Sequence, residues 1–67
     1  MIEFFINGKK YYSSRTISIK DLINYFSYNS ELLILEYNEI ICNKKNWPYY
    51  IITTNDKIEI ISIVGGG

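Results

Sequence analysis

Only one stretch of this sequence has the apolar spacing of an amphipathic helix, which limits the folds open to the chain. The apolar positions stand at i, i+3, i+4 and i+7, and are Ile19, Leu22, Ile23 and Phe26. Side chains at this spacing share one helical face. The other apolar runs alternate as strands do, so a single helix must cover the predicted sheet. We therefore expect only one face of the sheet to be well covered.

The ends of this helix are marked by polar residues. Ser18 can cap the free N–H groups of the first turn, and Asp21 lies near the positive end of the helix dipole. Asn29-Ser30 is expected to end the helix. These signals predict one helix of about three turns, close to the usual length in globular proteins.

An antiparallel hairpin is predicted at the start of the chain. Residues 2–6 alternate, with Ile2, Phe4 and Ile6 on one side, and Asn7-Gly8 follows. This dipeptide readily adopts the two positive φ angles of a type I′ turn. Residues 9–14 should form the second strand.

The remaining segments predict further strands joined by short turns. Pro48 disfavours helical geometry at Trp47, whose large apolar side chain should plug one end of the core. The segments are a central strand at 31–38, a short return at 39–42, a turn or single helical turn at 43–48, a short edge strand at 49–53, and a last strand at 57–64.

This order predicts an α+β fold of the ubiquitin-like β-grasp type. A mixed sheet of four to five strands would carry one main helix on one face. A right-handed crossover through the helix would place the first and last strands parallel in the centre. Residues 1–64 are expected to form this domain and residues 65–67 a flexible glycine tail.

Size and composition argue against several classes of function. A chain of 67 residues has little room for an enclosed active site, so we expect it not to be an enzyme. Seven basic and seven acidic residues cancel, which predicts no binding to nucleic acid or to an anionic membrane. Cys42 is the single cysteine and histidine is absent, so a metal site is not expected. Cys42 itself is expected to be a small buried hydrophobe.

The tail after the last predicted strand is the strongest functional signal. Ile63 and Val64 are followed by Gly65, Gly66 and Gly67. Glycines without Cβ atoms can lie extended in a slot too narrow for other residues, leaving the last carboxylate accessible. A frayed terminus is the alternative. We expect Gly67 to be the chemical end, with Gly66 and Gly65 beside it in the slot.

With these features together, the sequence resembles the ThiS family of sulfur carrier proteins. The resemblance spans essentially the whole chain: the opening strand into Asn7-Gly8, residues 16–23 (TISIKDLI), residues 37–41 (YNEII) leading to Trp47, and residues 56–67 (DKIEIISIVGGG). The last block is the most specific. Asn55 stands where the family usually has glycine, a place that asparagine can take because it tolerates left-handed geometry. Cys42-Asn43 stands where the family commonly has a proline-containing turn.

The resemblance implies a carrier function for Gly67. An E1-like adenylating enzyme of the ThiF type would use ATP and Mg²⁺ to form an acyl-adenylate on its carboxylate. A persulfide sulfur donor would then convert the adenylate to a thiocarboxylate. A thiazole synthase of the ThiG type would receive that sulfur for the thiazole moiety of thiamine. On this expectation the chain itself binds no cofactor and is a monomer when free.

Other carriers with the same tail are alternatives. These are the small subunit of molybdopterin synthase and a ubiquitin-like modifier joined to lysines, with a non-covalent β-grasp binding module as a further possibility. The short chain and the two-residue hairpin favour ThiS. A composition rich in Ile, Asn and Lys and without Ala is typical of AT-rich genomes. The expected location is the cytoplasm, or the plastid stroma if the gene is organelle-encoded.

A docking surface is predicted on the uncovered face of the sheet. By alternation Phe5, Ile34, Ile61 and Ile63 point away from the helix and lead, with Val64, to the tail. A β-bulge near Ile60-Ile61 is the alternative, since it would turn Ile61 and Ile63 inward. If the strand is regular, these residues form an exposed apolar patch, which usually marks a protein interface.

Overall fold

A computed structural model describes residues 1–26 and 33–62. It contains a five-stranded sheet in the order β2-β1-β5-β3-β4, one α-helix and one 3-10 helix. The strands are β1 (Ile2–Ile6), β2 (Lys9–Ser13), β3 (Leu33–Tyr37), β4 (Ile40–Ile41) and β5 (Lys57–Ser62), the α-helix is α1 (Ile19–Tyr25), and the 3-10 helix spans Lys44–Tyr49.

Strands β1 and β5 lie parallel and adjacent in the middle of the sheet. Phe5 pairs with Lys57 and Ile6 with Ile58, while β5 runs antiparallel to β3 on its other side. The remaining neighbours, β1 with β2 and β3 with β4, are antiparallel. The predicted mixed sheet with parallel first and last strands is therefore confirmed.

Two tight turns with positive φ angles form the hairpins. Asn7 and Gly8 have φ values of 51° and 82°, as predicted for a type I′ turn. Asn38 and Glu39, with φ values of 52° and 71°, make a second turn of this kind between β3 and β4. The predicted strand at 31–38 thus ends at Tyr37, and its residues 31–32 lie outside the described part. Asn55 has φ 70°, the left-handed geometry expected of it.

Helix α1 begins as predicted and ends earlier than predicted. The Ser18 side chain accepts a hydrogen bond from the Asp21 N–H, and the Asp21 carboxylate accepts one from the Ser18 N–H. These backbone and side-chain bonds hold the pKa of Asp21 below its usual value. The seven residues make about two turns, not three. Phe26 caps the helix, with ψ −1° and its N–H still donating to the Leu22 carbonyl at 3.2 Å. The predicted end at Asn29-Ser30 lies outside the described residues.

The core lies between α1 and one face of the sheet. The predicted helix residues Ile19, Leu22 and Ile23 are buried, whereas Phe26 is half-buried at the margin. Trp47 is also buried, and its ring N–H donates to the Cys42 carbonyl at 3.1 Å, so it closes one end of the core as expected. The other buried apolar residues are Phe4, Ile6, Leu35, Cys42, Ile52, Ile58 and Ile60, with Ile2 partly buried beside them.

The edge strand predicted at residues 49–53 is wrong. Only Ile51 makes a strand-like bridge there, to Ser18 and not to the sheet. The Ile19 N–H donates to the Tyr50 carbonyl and the Ile52 N–H to the Ile17 carbonyl, both at 2.9 Å. The backbone of this segment is satisfied by the chain leading into α1, and so it adds no strand to the sheet.

A buried carboxylate ties the start of β5 to its neighbours. Asp56 accepts hydrogen bonds from the Tyr37 hydroxyl, the Thr53 N–H at 2.7 Å and the Asn38 amide at 3.1 Å. Burial acts to raise the pKa of Asp56, but these hydrogen bonds outweigh it and leave the pKa lowered. Desolvation, and then the bond to Asp56, raise the pKa of Tyr37 to about 12.

Candidate docking face beside the carboxyl end

Strand β5 divides its side chains between the two faces of the sheet. Ile58 and Ile60 are buried beneath α1, while Ile61 keeps 49% of its surface exposed. Pairing with β3 continues in one register from Ile58 to Ser62. The alternative of a β-bulge near Ile60-Ile61 is therefore excluded, and the regular strand is confirmed.

Ile34 and Ile61 form an apolar pair on the uncovered face. They are paired directly across β3 and β5, and Ile34 is 37% exposed. Directly opposed side chains in an antiparallel pair have Cβ atoms about 5 Å apart, so the two can act as one surface. The pair lies near the end of β5, one residue before Ser62.

Phe5 is not adjacent to that apolar pair. It is half-buried and pairs with Lys57, at the opposite end of β5 from Ile61. Between them lies a row in which Glu59 faces Glu36 across the strands. The predicted patch is therefore divided by carboxylates, because the register places a charged pair between its apolar parts.

One carboxylate on this face is paired with a cation and two others are not. Lys10 lies 3.2 Å from the Glu3 carboxylate, with its ammonium 5.8 Å from the centroid of the Phe5 ring. Glu36 and Glu59 form no ion pair within the described residues, although these contain all seven basic residues of the chain. Like charges directly opposed across strands are destabilising. A basic partner would be favoured at this position.

Glu36 and Glu59 are candidate docking residues that the sequence analysis missed. A signal for them was present, because the same alternation that places Ile34 and Ile61 outward also places Glu36 and Glu59 outward. Their facing arrangement depends on the register between β3 and β5, which connects residues far apart in sequence.

The other predicted site residues lie outside the described part of the chain. These are Ile63, Val64, Gly65, Gly66 and Gly67, and their roles stay predictions. β5 places Ser62, the last described residue before them, at the end next to Leu33. The described part of β5 therefore ends beside the Ile34 and Ile61 pair.

Cys42 occupies the core, away from this face. It is 6% exposed, and burial raises the pKa of its thiol, which opposes formation of the reactive thiolate.

Across residues 1–26 and 33–62, no three side chains of the metal-binding types come together. No helix in the same ranges is long and apolar enough to cross a membrane.

The fold closely matches that of a solved structure. The crystal structure of the thiamine biosynthesis protein ThiS from Geobacter metallireducens superposes with a TM-score of 0.84, over 98% of this chain and all of the other. The two sequences are 17% identical. At this identity the similarity establishes the fold alone.

Three other relatives are much closer in sequence. A protein of Trieres chinensis, called uncharacterized protein ycf40, is 64% identical over 96% of this chain and 88% of its own length. Proteins with the same description from Pyropia yezoensis and Porphyra purpurea are each 39% identical over 92% of this chain and 87% of theirs.

The family assignment covers the tail as well as the sheet. The sequence model of the ThiS family matches residues 5–67, from β1 through Gly67. The match includes the candidate docking face and the terminal glycines together. On this evidence, with the β-grasp fold observed, the chain belongs to the ThiS family.

Proposed function

We propose that this chain is a sulfur carrier whose Gly67 carboxylate is converted to a thiocarboxylate for synthesis of the thiazole moiety of thiamine. The family match that runs through Gly67 is the observation that carries the proposal. The fold supports it, since β5 leads from the middle of the sheet directly to the segment that ends in the three glycines. The chain would be a protein co-substrate and not an enzyme.

The chemistry requires activation of the carboxylate. Its two oxygens share the negative charge and neither is a leaving group. Attack of a carboxylate oxygen on the α-phosphorus of ATP would form an acyl-adenylate and release pyrophosphate. The terminal sulfur of a persulfide would then attack the acyl carbon and AMP would leave. The product would be an acyl disulfide. A thiol would then attack the sulfur farther from the acyl group, which releases the thiocarboxylate and a new disulfide.

Partners would supply the groups that this chemistry needs. ATP and Mg²⁺ would be bound by an adenylating enzyme of the ThiF type. The described residues of this chain offer no cluster of metal ligands, and its cysteine is buried. A thiazole synthase of the ThiG type would accept the sulfur.

The uncovered face is the surface we propose for docking these partners. Ile34 and Ile61 lie exposed beside the start of the tail. A partner seated on them would hold the tail close to its own active site. Since one apolar pair would serve both partners, the adenylating enzyme and the synthase should compete for the carrier.

The proposed location is the plastid stroma. The name ycf40, carried by the three relatives, belongs to plastid-encoded genes. The composition typical of AT-rich genomes supports the same location. Adenylating enzyme, persulfide source and synthase would then need to be present in that compartment.

Intact mass spectrometry tests the proposal. The carrier is incubated with a ThiF-type enzyme, Mg²⁺-ATP and a persulfide donor, and its mass should rise by the difference between sulfur and oxygen. Deleting Gly67 should abolish the change while leaving the melting temperature unaltered. An unchanged mass for the wild-type chain would contradict the carrier function, and a lysine conjugate instead of a thiocarboxylate would indicate a protein modifier.

A further inference from the structure

The side chain of Asn7 binds the backbone of β5. Its Oδ1 accepts a hydrogen bond from the Ile60 N–H at 2.8 Å, and its Nδ2 donates to the Ile60 carbonyl at 3.2 Å. The backbone N–H of Asn7 donates to the Ile58 carbonyl at 2.8 Å. The primary amide of Asn7 thus offers β5 the same donor and acceptor that a peptide unit of a neighbouring strand would offer.

This contact extends a short parallel ladder. Pairing between β1 and β5 consists of two residue pairs and ends at Ile6 with Ile58, because the chain then turns at Asn7 and Gly8. Beyond Ile58, the described contact to β5 on the β1 side is the Asn7 amide, while β3 continues on the other side. The amide therefore holds the last part of β5 where the backbone of β1 no longer reaches.

We infer that Asn7 is a positioning residue for the carboxyl tail. By holding β5 at Ile60, it fixes the end of the strand at Ser62, from which the sequence continues to Gly67. The inference rests on the proposed function, since it concerns delivery of Gly67 to an adenylating enzyme. A carrier whose strand is already held in line loses less conformational freedom when it binds.

The positioning role can be separated from the turn. Asn7 has φ 51°, a conformation that glycine adopts without strain, so Asn7→Gly keeps the turn and removes the amide. Asn55→Gly is the matched control, because Asn55 has φ 70° and its hydrogen bond to the Glu3 carbonyl comes from the backbone. Asn7→Asp retains the acceptor for the Ile60 N–H and loses the donor to the Ile60 carbonyl.

Amide hydrogen exchange tests the effect on β5 without any partner. In Asn7→Gly the amides of Ile60 and Ile61 should exchange about tenfold faster, as expected when two hydrogen bonds are lost. Ile61 is informative because it pairs with Ile34 on β3, whereas the Asn7 side chain bonds to Ile60, so exchange at Ile61 reports on the strand itself. Amides of the β1 and β2 hairpin should be unchanged, as should all of these amides in Asn55→Gly. Unchanged exchange at Ile61 in Asn7→Gly would overturn the inference.

Steady-state pyrophosphate exchange with the ThiF-type enzyme tests the effect on function. Asn7→Gly should raise KM for the carrier severalfold with little change in kcat, and Asn7→Asp should lie between it and wild type. Equal KM values for Asn7→Gly and Asn55→Gly would also overturn the positioning role. If the wild-type chain is not adenylated, the proposed function fails, and the amide exchange still decides whether Asn7 holds β5.

Discussion

The two faces of the sheet are built from the same strands and have opposite properties. On the covered face Leu35, Ile58 and Ile60 are at most 8% exposed, whereas on the other face Ile34 and Ile61 are 37% and 49% exposed. Neighbouring residues thus differ in surroundings by the alternation of a strand alone. The covered face stabilises the fold, and the uncovered face keeps apolar area available for a partner.

The carboxylates of the two faces differ in how far their charge is satisfied within the described part of the chain. Asp56, at the margin of the covered side, has hydrogen bonds from a hydroxyl, an amide and a backbone N–H. Glu36 and Glu59 face each other on the uncovered side without a counter-ion in the described part of the chain. The covered side satisfies its charge internally. If the proposed docking holds, a partner would neutralise the charge that the uncovered side leaves.

The largest predicted difference between the faces is that between Ile60→Asp and Ile61→Asp. A carboxylate at the buried Ile60 position should cost about 5 kcal/mol or more, comparable to the whole stability of so small a domain. Ile61→Asp should change the free energy of unfolding by about 1 kcal/mol or less. Circular dichroism should show the first variant unfolded and the second folded.

Partner binding extends the comparison between Ile60→Asp and Ile61→Asp. If the proposed docking holds, folded Ile61→Asp should bind the ThiF-type and ThiG-type partners at least about tenfold more weakly, as measured by calorimetry, because it places a charge in the apolar pair of the proposed docking face. If Ile61→Asp unfolds and Ile60→Asp does not, the assignment of the faces is wrong.

Adjacent residues of β3 provide a milder comparison. Leu35→Ala should lower the free energy of unfolding by about 3 kcal/mol, since Leu35 is 1% exposed and its removal leaves a cavity. Ile34→Ala should lower it by less than about 1 kcal/mol, because its side chain already contacts solvent. Urea denaturation measures both. Similar losses for the two variants would mean that the uncovered face contributes to stability as much as the core.

Acid should lower the stability of the fold by protonating Asp56, at the margin of the covered side. The folded pKa of Asp56 lies below its ordinary value of 3.8, so its stabilising contribution is present above that value and is lost as the pH falls through the lowered folded pKa. Asp56→Asn should be less stable than wild type at pH 7, and the difference should shrink below about pH 4.

Thermal melting across pH measures this effect. Asp56→Asn should keep part of the acid sensitivity, because the pKa of Asp21 is lowered as well. Glu36→Gln, which alters a carboxylate on the uncovered face, is the control. A constant difference between Asp56→Asn and wild type at all pH values would contradict the role assigned to the Asp56 hydrogen bonds.

The smallest effect is expected from the charges of the uncovered face. Glu36→Lys would place a cation opposite Glu59 and should raise stability by about 0.5 kcal/mol, while Glu36→Gln should gain less. Chemical denaturation at low and high salt is the measurement, and the gain should diminish as salt screens the pair. A loss of stability in Glu36→Lys would show that the two carboxylates are not in repulsion.

Local sequence signals predicted much of the fold because they act over a few residues. The glycine at position 8 permits the first turn, Ser18 and Asp21 cap the helix, and alternation separates Ile60 from Ile61. Residues 49–53 were misassigned for the opposite reason. Their apolar and aromatic character suits a strand, but hydrogen bonds to Ile17 and Ile19 decided their conformation.

The candidate site likewise has features that local sequence predicts and features that depend on strand pairing. Ile34 and Ile61 could be predicted as outward-facing from alternation within each strand. Their direct opposition, and the separation of Phe5 from them by Glu36 and Glu59, depend on the pairing of three strands. Asn7 was predicted as a turn residue only. Its contact with Ile60 spans 53 positions and has no local signature.

By itself, then, the sequence determined the turn at Asn7-Gly8, the single helix, the terminal glycines and the phase of each strand. These follow from backbone sterics, side-chain periodicity and the order of residues along the chain. The tertiary structure decided which outward residues meet, where Asp56 finds its donors, and which side chain supports β5 past the end of β1. Those relations require register between distant segments, and register is set by burying the covered face in one core.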